Sequence, residues 1–307
     1  MHKICIVGAG RVGESTAQIL AKEELCREVV LLDIHDGVPQ GIALDIQQSA
    51  SLLRFDTRVS GDIDPEIMRD SELVIITAGF PRKPGMSRSD VLESNLTIID
   101  GLVDHVMHYA PDAMLMMVTN PVDVLTWRAW QRTGWPRHRV FGQSGALDTA
   151  RMISFIATET GYSIKDISAL VLGGHGDAMV PLPRFTDISG IPIEHFIDEA
   201  TIEQIAERTR QGGGEILALK KHSSAYDSPA AAIASMVDAI RHNRRRILPC
   251  VGILEGEYGQ TGIAMGVPAV LDENGLVKII ELKLNARERK DFERSADMVR
   301  EDIKLLP

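Results

Sequence analysis

The first half of the chain alternates short, wholly apolar runs with longer amphipathic stretches. Apolar runs occupy residues 4–7, 29–32, 73–77, 114–118 and 140–142, with a shorter strand-like segment near Arg58. Between them, helix-period patterns predict one helix reaching about Leu25, others over 41–53 and 90–109, and one opened by Pro121 as its first helical residue. Runs that are apolar at every position, rather than at alternate ones, belong to strands buried on both faces. Strands alternating with helices predict an α/β, doubly wound parallel sheet.

The second half has a different rhythm. A helix is predicted through about Thr160, then a strand over 167–172. A helix beginning near Thr201 contains Gly212-Gly213-Gly214 within its run, and no Gly-Lys-Ser/Thr follows, so a kink or close helix packing is expected there rather than a phosphate loop. A helix over 228–243 precedes strands at 251–254 and 264–271, and Asp272-Glu273-Asn274-Gly275 turns the chain into a strand at 277–280. The last helix carries Phe292, Ala296, Val299 and Ile303 on one apolar stripe. Helices mixed with antiparallel strands predict an α+β C-terminal domain. The division falls near Gln143, giving domains 1–143 and 144–307, with no internal repeat or low-complexity linker to loosen them.

Composition narrows the function classes. A net charge of −10 argues against a nucleic-acid surface but leaves room for a small anionic ligand in a locally basic pocket. The basic run 241–246 is expected at a helix C-terminus, where cations oppose the dipole. Cys5, Cys26 and Cys250 are odd in number and widely spaced, which predicts neither disulfides nor a metal site and fits a reducing compartment. No apolar run approaches 18 residues and the chain enters a strand directly after Met-His-Lys, so the expectation is a cytoplasmic protein without a membrane partner.

The chemistry concentrates where strands end. Gly8-Ala9-Gly10-Arg11-Val12-Gly13 follows the first strand and opens the first helix. In this G-x-G-x-x-G the first glycine permits the tight turn, the second lets a pyrophosphate reach the backbone, and the third lets helix and strand pack closely. Asp33, twenty residues past Gly13, ends the second strand. An acid there accepts ribose hydroxyls and repels a 2′-phosphate, so a Rossmann domain binding NAD rather than NADP is predicted. After the strand at 73–77, residues 79–90 read Gly-Phe-Pro-Arg-Lys-Pro-Gly-Met-Ser-Arg-Ser-Asp, a loop with two prolines, two glycines and three cations. An ordinary solvated turn is its default reading, but it leaves the sheet on the cofactor edge. His175, flanked by glycines in Gly173-Gly174-His175-Gly176-Asp177, has an accessible ring, and Asp148 and Arg151 share a helix face.

Five ordered stretches, GAGRVG at residue 8, ITAGFPRKPGMSR at the loop, VTNPVD at 118, GQSGALDTAR at 142 and LGGHGD at 172, together resemble the lactate/malate dehydrogenase family over essentially the whole chain, and within it the bacterial malate-oxidising members. The resemblance implies that His175 is the acid/base, that Asp148 orients it, and that Arg151 binds the C1 carboxylate of the substrate. It further implies that Arg82 and Arg88 bind substrate from a closing loop, with Arg88 polarising the ketone oxygen. Asn120 would serve both substrate and cofactor. Gly8, Ala9, Gly10, Arg11, Val12, Gly13, Asp33, Asn95, Val118 and Thr119 would line NAD. A homodimer or homotetramer is implied as well.

The residue types suit that chemistry on their own terms. A histidine can take a hydroxyl proton near neutral pH and return it. An arginine fork matches a carboxylate bidentately. A second such fork at Arg82 demands a second carboxylate, so the expected substrate pair is (S)-malate and oxaloacetate. A lactate or other 2-hydroxy acid dehydrogenase and a non-catalytic NAD-binding sensor are the alternatives. The first lacks a use for Arg82, and the second would have no need to keep His175, Asp148, Arg151, Arg88 and Arg82 together. In Tyr226-Asp227-Ser228-Pro229 the chain departs from the family, which has an aromatic residue and alanine at 227 and 228, and Asp227 is expected to point away from a dianionic substrate.

Overall fold

The computed structural model describes residues 1–80 and 88–306, with the backbone alone at 88–91 and 93. Its first half runs β1 (Lys3–Val7), α1 (Arg11–Lys22), β2 (Glu28–Leu32), α2 (Val38–Leu53), β3 (Arg58–Asp62), β4 (Leu73–Ile76), α3 (Arg88–Tyr109), β5 (Met114–Met117), α4 (Val122–Thr133) and β6 (Val140–Gly142). The second half runs α5 (Gly145–Thr160), β7 (Ile167–Ser168), β8 (Val171–Gly173), β9 (Met179–Pro181), β10 (Asp187–Ile188), β11 (Ile191–Pro192), α6 (Glu199–Lys220), α7 (Asp227–Arg241), β12 (Arg246–Glu255), β13 (Thr261–Asp272), β14 (Gly275–Ile279) and α8 (Ala286–Lys304).

The first six strands are parallel in the order β3-β2-β1-β4-β5-β6. Their uninterrupted apolar sequences follow from this placement. Along β1, Ile4 and Ile6 join the layer containing Leu20 of α1 and Ile46 of α2, while Cys5 and Val7 join the layer containing Val103 of α3 and Leu125 of α4. β1, β2, β4, β5 and β6 bury both faces, so neither parity can be polar; β3, at the edge, exposes Arg58, Ser60 and Asp62. The sheet then continues without a gap. Gly142 of β6 pairs with Val251 of β12, and β13, β14, β8 and β9 follow antiparallel. The tight join expected between the halves is therefore a shared sheet.

Several local expectations need correction. Pro121 is the N-cap of α4, one place before the predicted N1, and its bond to Asn120 is cis. The strand expected at 167–172 is two strands in separate sheets, β7 pairing with β10 and β8 with β9 and β13. The break comes where the Val171 N–H turns to the Thr149 hydroxyl of α5. Helix α3 starts at Arg88, so the cation-rich loop is shorter than 79–90 and its second arginine belongs to a helix. Helix α6 runs unbroken through Gly212-Gly213-Gly214. Asp227 is exposed at the start of α7. Among the described residues no helix is long and apolar enough to cross a membrane, and Cys5, Cys26 and Cys250 are free and buried.

Candidate active site

The parallel strands β1, β2, β4 and β5 deliver four turns to one edge. At the end of β1, Gly8 adopts φ +107°, and a Cβ on Gly13 would lie 1.9 Å from the Gly8 carbonyl oxygen. At Gly10, the N-cap of α1, a Cβ would meet no atom within 4 Å and no side chain caps the helix. Gly8 and Gly13 thus serve the fold, whereas Gly10 leaves open space over a helix N-terminus with unpaired donors, the surface a pyrophosphate requires. Arg11 is largely exposed and pairs loosely with Glu14 at 3.7 Å, and Val12 is half-buried.

Asp33 follows β2. Its Oδ2 accepts the Ala9 N–H at 2.8 Å, so the Ala9 amide holds the acid to the glycine turn. Its Oδ1 lies 2.7 Å from His35 Nδ1 and accepts the His35 N–H. Burial opposes ionisation of Asp33, but hydrogen bonds from His35 and Ala9 outweigh it and hold the carboxyl below its usual range. An ionised acid at this strand end fits the ribose of an NAD-type cofactor.

After β4 and β5 the chain makes two turns that Asn95 of α3 binds together. Its Oδ1 accepts the Phe80 N–H at 2.7 Å and its Nδ2 donates to the Asn120 carbonyl at 2.8 Å. The side chain is buried, and its amide is spent on these backbones. Thr119 adds a bond from Oγ1 to the Ala78 carbonyl at 2.6 Å. Val118 is half-buried and Asn120 is exposed beyond it.

The second half contributes a tight ionic cluster. Asp148 in the first turn of α5 is buried, and its two oxygens divide between His175 and Arg151. Oδ2 lies 2.8 Å from His175 Nδ1 and Oδ1 accepts Arg151 Nη1 at 3.0 Å. An ionised carboxylate only accepts, so Nδ1 carries the proton and Nε2 is the nitrogen free to act as a base. Burial lowers the proton affinity of His175, but the charge and hydrogen bond of Asp148 and the charge of Asp123 outweigh it, and the imidazole is pushed above its usual range despite Arg151. Burial alone would have lowered it.

Two hydrogen-bond acceptors and the packing partner of the α6 glycines escaped the sequence reading. Asp123 accepts the His175 N–H through Oδ2 at 2.8 Å and Ser295 of α8 accepts the Gly174 N–H at 2.8 Å. Asp123 lies inside the VTNPVD stretch, yet an acid in the first turn of a helix reads as ordinary dipole compensation. The α6 glycines are the third case. A Cβ at Gly212 would lie 3.2 Å from Arg151 Cδ and one at Gly213 would lie 3.6 Å from Nη2. The expected close packing is thus against an arginine side chain. Arg82 and the side chain of Arg88 lie outside the described residues.

Models of the lactate/malate dehydrogenase family match in two pieces, the NAD binding domain over residues 2–142 and the alpha/beta C-terminal domain over 145–306. This chain belongs to the lactate/malate dehydrogenase family. Among relatives of that family, the malate dehydrogenase of Thioalkalivibrio sulfidiphilus is 63% identical over 306 residues, covering 100% of both chains. That of Nitrosococcus oceani is 65% identical, covering 100% of this chain and 98% of its own. The malate dehydrogenase structure from Salinibacter ruber superposes with a TM-score of 0.94 at 43% identity, covering 99% of this chain and 97% of that one. A Cryptosporidium parvum lactate dehydrogenase complexed with lactic acid and nicotinamide adenine dinucleotide superposes with a TM-score of 0.96 at 36% identity, covering 99% and 97%.

Proposed function

We infer that the chain is an NAD-dependent malate dehydrogenase that interconverts (S)-malate and oxaloacetate. The observation that carries this reading is the single buried carboxylate of Asp148 holding both a histidine and an arginine. From its place on α5 that one acid orients both a base in the loop after β8 and a carboxylate receptor on its own helix.

The glycine turn and Asp33 would hold NAD, which would supply the acceptor for the hydride, a hydrogen with two electrons, released from C2 of malate. The hydroxyl proton passes to Nε2 of His175, and the carbon left behind is a ketone. The imidazolium so formed is stabilised by Asp148. In the reverse direction the same nitrogen returns the proton. Arg151 is assigned the C1 carboxylate, Asn120 the substrate's reacting end, and Arg88 the oxygen where negative charge develops on reduction. Val118, Thr119 and Asn120 are assigned to the nicotinamide side. Asn95 is assigned there too, acting through the two turns it binds.

Substrate choice rests on Arg82. Leaving this cation unpaired over a methyl group would cost about 3–5 kcal/mol, or roughly two to four orders of magnitude against pyruvate at about 1.4 kcal/mol per tenfold. The experiment is NADH oxidation with oxaloacetate and with pyruvate, in the native protein and in Arg82→Gln. Native protein strongly preferring oxaloacetate, and a variant moved toward pyruvate, is the expected result. Turnover of neither substrate by folded native protein would return the chain to a non-catalytic NAD-binding role.

Division of the chain into 1–143 and 144–307 accords with the change of chain rhythm there. A homodimer or homotetramer accords with exposed Leu44 and Leu52 on α2. A cytoplasmic location accords with three unpaired thiols.

A further inference from the structure

His175 is held at two places by two different buried carboxylates. Asp148 takes its ring and Asp123 takes its backbone N–H, each at 2.8 Å. Asp123 is 1% exposed and sits in the first turn of α4, three residues past Asn120. The start of α4 therefore joins the turn assigned to the cofactor with the loop carrying the base.

That loop needs outside support. Gly173 and Gly176 both have positive φ, +84° and +89°, and glycines lend a backbone no stiffness. The shape is imposed by two acceptors, Asp123 on the His175 N–H and Ser295 on the Gly174 N–H. Ser295 demonstrates that a neutral hydroxyl suffices to satisfy such a donor. A carboxylate in the neighbouring position is costly to bury, and it brings negative charge toward an imidazole that must become cationic. The charged groups acting on His175 among the described residues are Asp148 and Arg151 of α5 and Asp123 of α4. The two acids oppose burial and Arg151.

We propose that Asp123 is a positioning residue for the dehydrogenase reaction: it fixes the acid/base loop through the His175 N–H and, as a second buried negative charge, stabilises the imidazolium formed when the substrate hydroxyl is oxidised. This rests on the assignment of His175 as acid/base. Asp148 orients the ring within the second half, and Asp123 registers it against the first half.

The test compares Asp123→Asn, which keeps an acceptor oxygen and removes the charge, with Ser295→Ala, which removes an acceptor and no charge. The pH profile of kcat/KM for malate oxidation and the dissociation constant of NADH, read by fluorescence, are measured for both and for native protein. Asp123→Asn should lose roughly tenfold to a hundredfold in kcat, move the midpoint of the profile to lower pH, and bind NADH as before. Ser295→Ala should lose rate with the midpoint unmoved. An Asp123→Asn midpoint that coincides with the native one overturns the proposal. If that variant does not bind NADH, Asp123→Ser must show the same downward shift, and an unmoved midpoint there overturns it equally. Native protein without malate turnover would instead overturn the dehydrogenase reading beneath it.

Discussion

Nδ1 of His175 lies 2.8 Å from Oδ2 of Asp148, and the other oxygen of the same carboxylate receives Arg151 at 3.0 Å. One buried acid thus sets the orientation of both His175, proposed as the base, and Arg151, proposed as the carboxylate receptor, and removing its charge should affect chemistry and pH response together.

Asp148→Asn should lower kcat by about a hundredfold or more, within the usual contribution of general acid–base catalysis. The native imidazole has its proton affinity raised, so malate oxidation, which needs the neutral ring, gains with rising pH through that raised value. In the variant the profile should move to lower pH. Stability follows the same linkage. The protonated His175–Asp148 pair contributes fully below the ordinary imidazole value of about 6.5, and the contribution fades as pH rises through the raised folded value. Denaturant melts of native and variant protein on either side of that window measure it, and curves separated by the same amount throughout would refute the linkage.

The glycines of the first turn should separate by role. Gly13→Ala places a Cβ 1.9 Å from the Gly8 carbonyl oxygen, so the fold itself should suffer, with a loss of several kcal/mol on the order expected for severe overpacking. Gly10→Ala meets nothing within 4 Å. It should melt like the native protein yet bind NADH weakly, because the added methyl occupies the space a pyrophosphate would use. Thermal melts with and without NADH distinguish the two, and a Gly10→Ala variant stabilised by NADH like the native protein would contradict the assignment.

Gly212→Ala should make the protein more stable and a poorer enzyme. Alanine replaces glycine inside α6, favourable by about 1 kcal/mol from helix propensity. Its Cβ stands 3.2 Å from Arg151 Cδ, closer than ordinary contact, and the arginine must give way. The KM for malate should rise several-fold with NADH affinity unchanged. A native KM would show that Arg151 adapts without cost.

Much of the fold was legible because burial on both faces forces a simple sequence. Val29-Val30-Leu31-Leu32 has no polar parity to offer, so it reads as an internal parallel strand wherever it occurs. The glycine turn and Asp33 were legible for a similar reason: local backbone geometry and a strand end define them. The strand expected at 167–172 was misread because Ile167 and Val171 are both buried, and apolar residues alone do not say into which sheet. That was decided by Thr149, twenty-two residues away, capturing the Val171 N–H.

By itself the sequence determined the alternating architecture and the glycine turn, and it named the candidates for exchanging a proton and gripping a carboxylate. Only the tertiary structure decided that His175 answers to two acids from different helices, that Asn95 spends its amide on two turns, and that Gly212 and Gly213 leave room for Arg151. Periodicity and spacing encode what neighbours along the chain must do. Contacts between α4, α5, α6 and the His175 loop depend on how packed elements converge, and no local pattern records that.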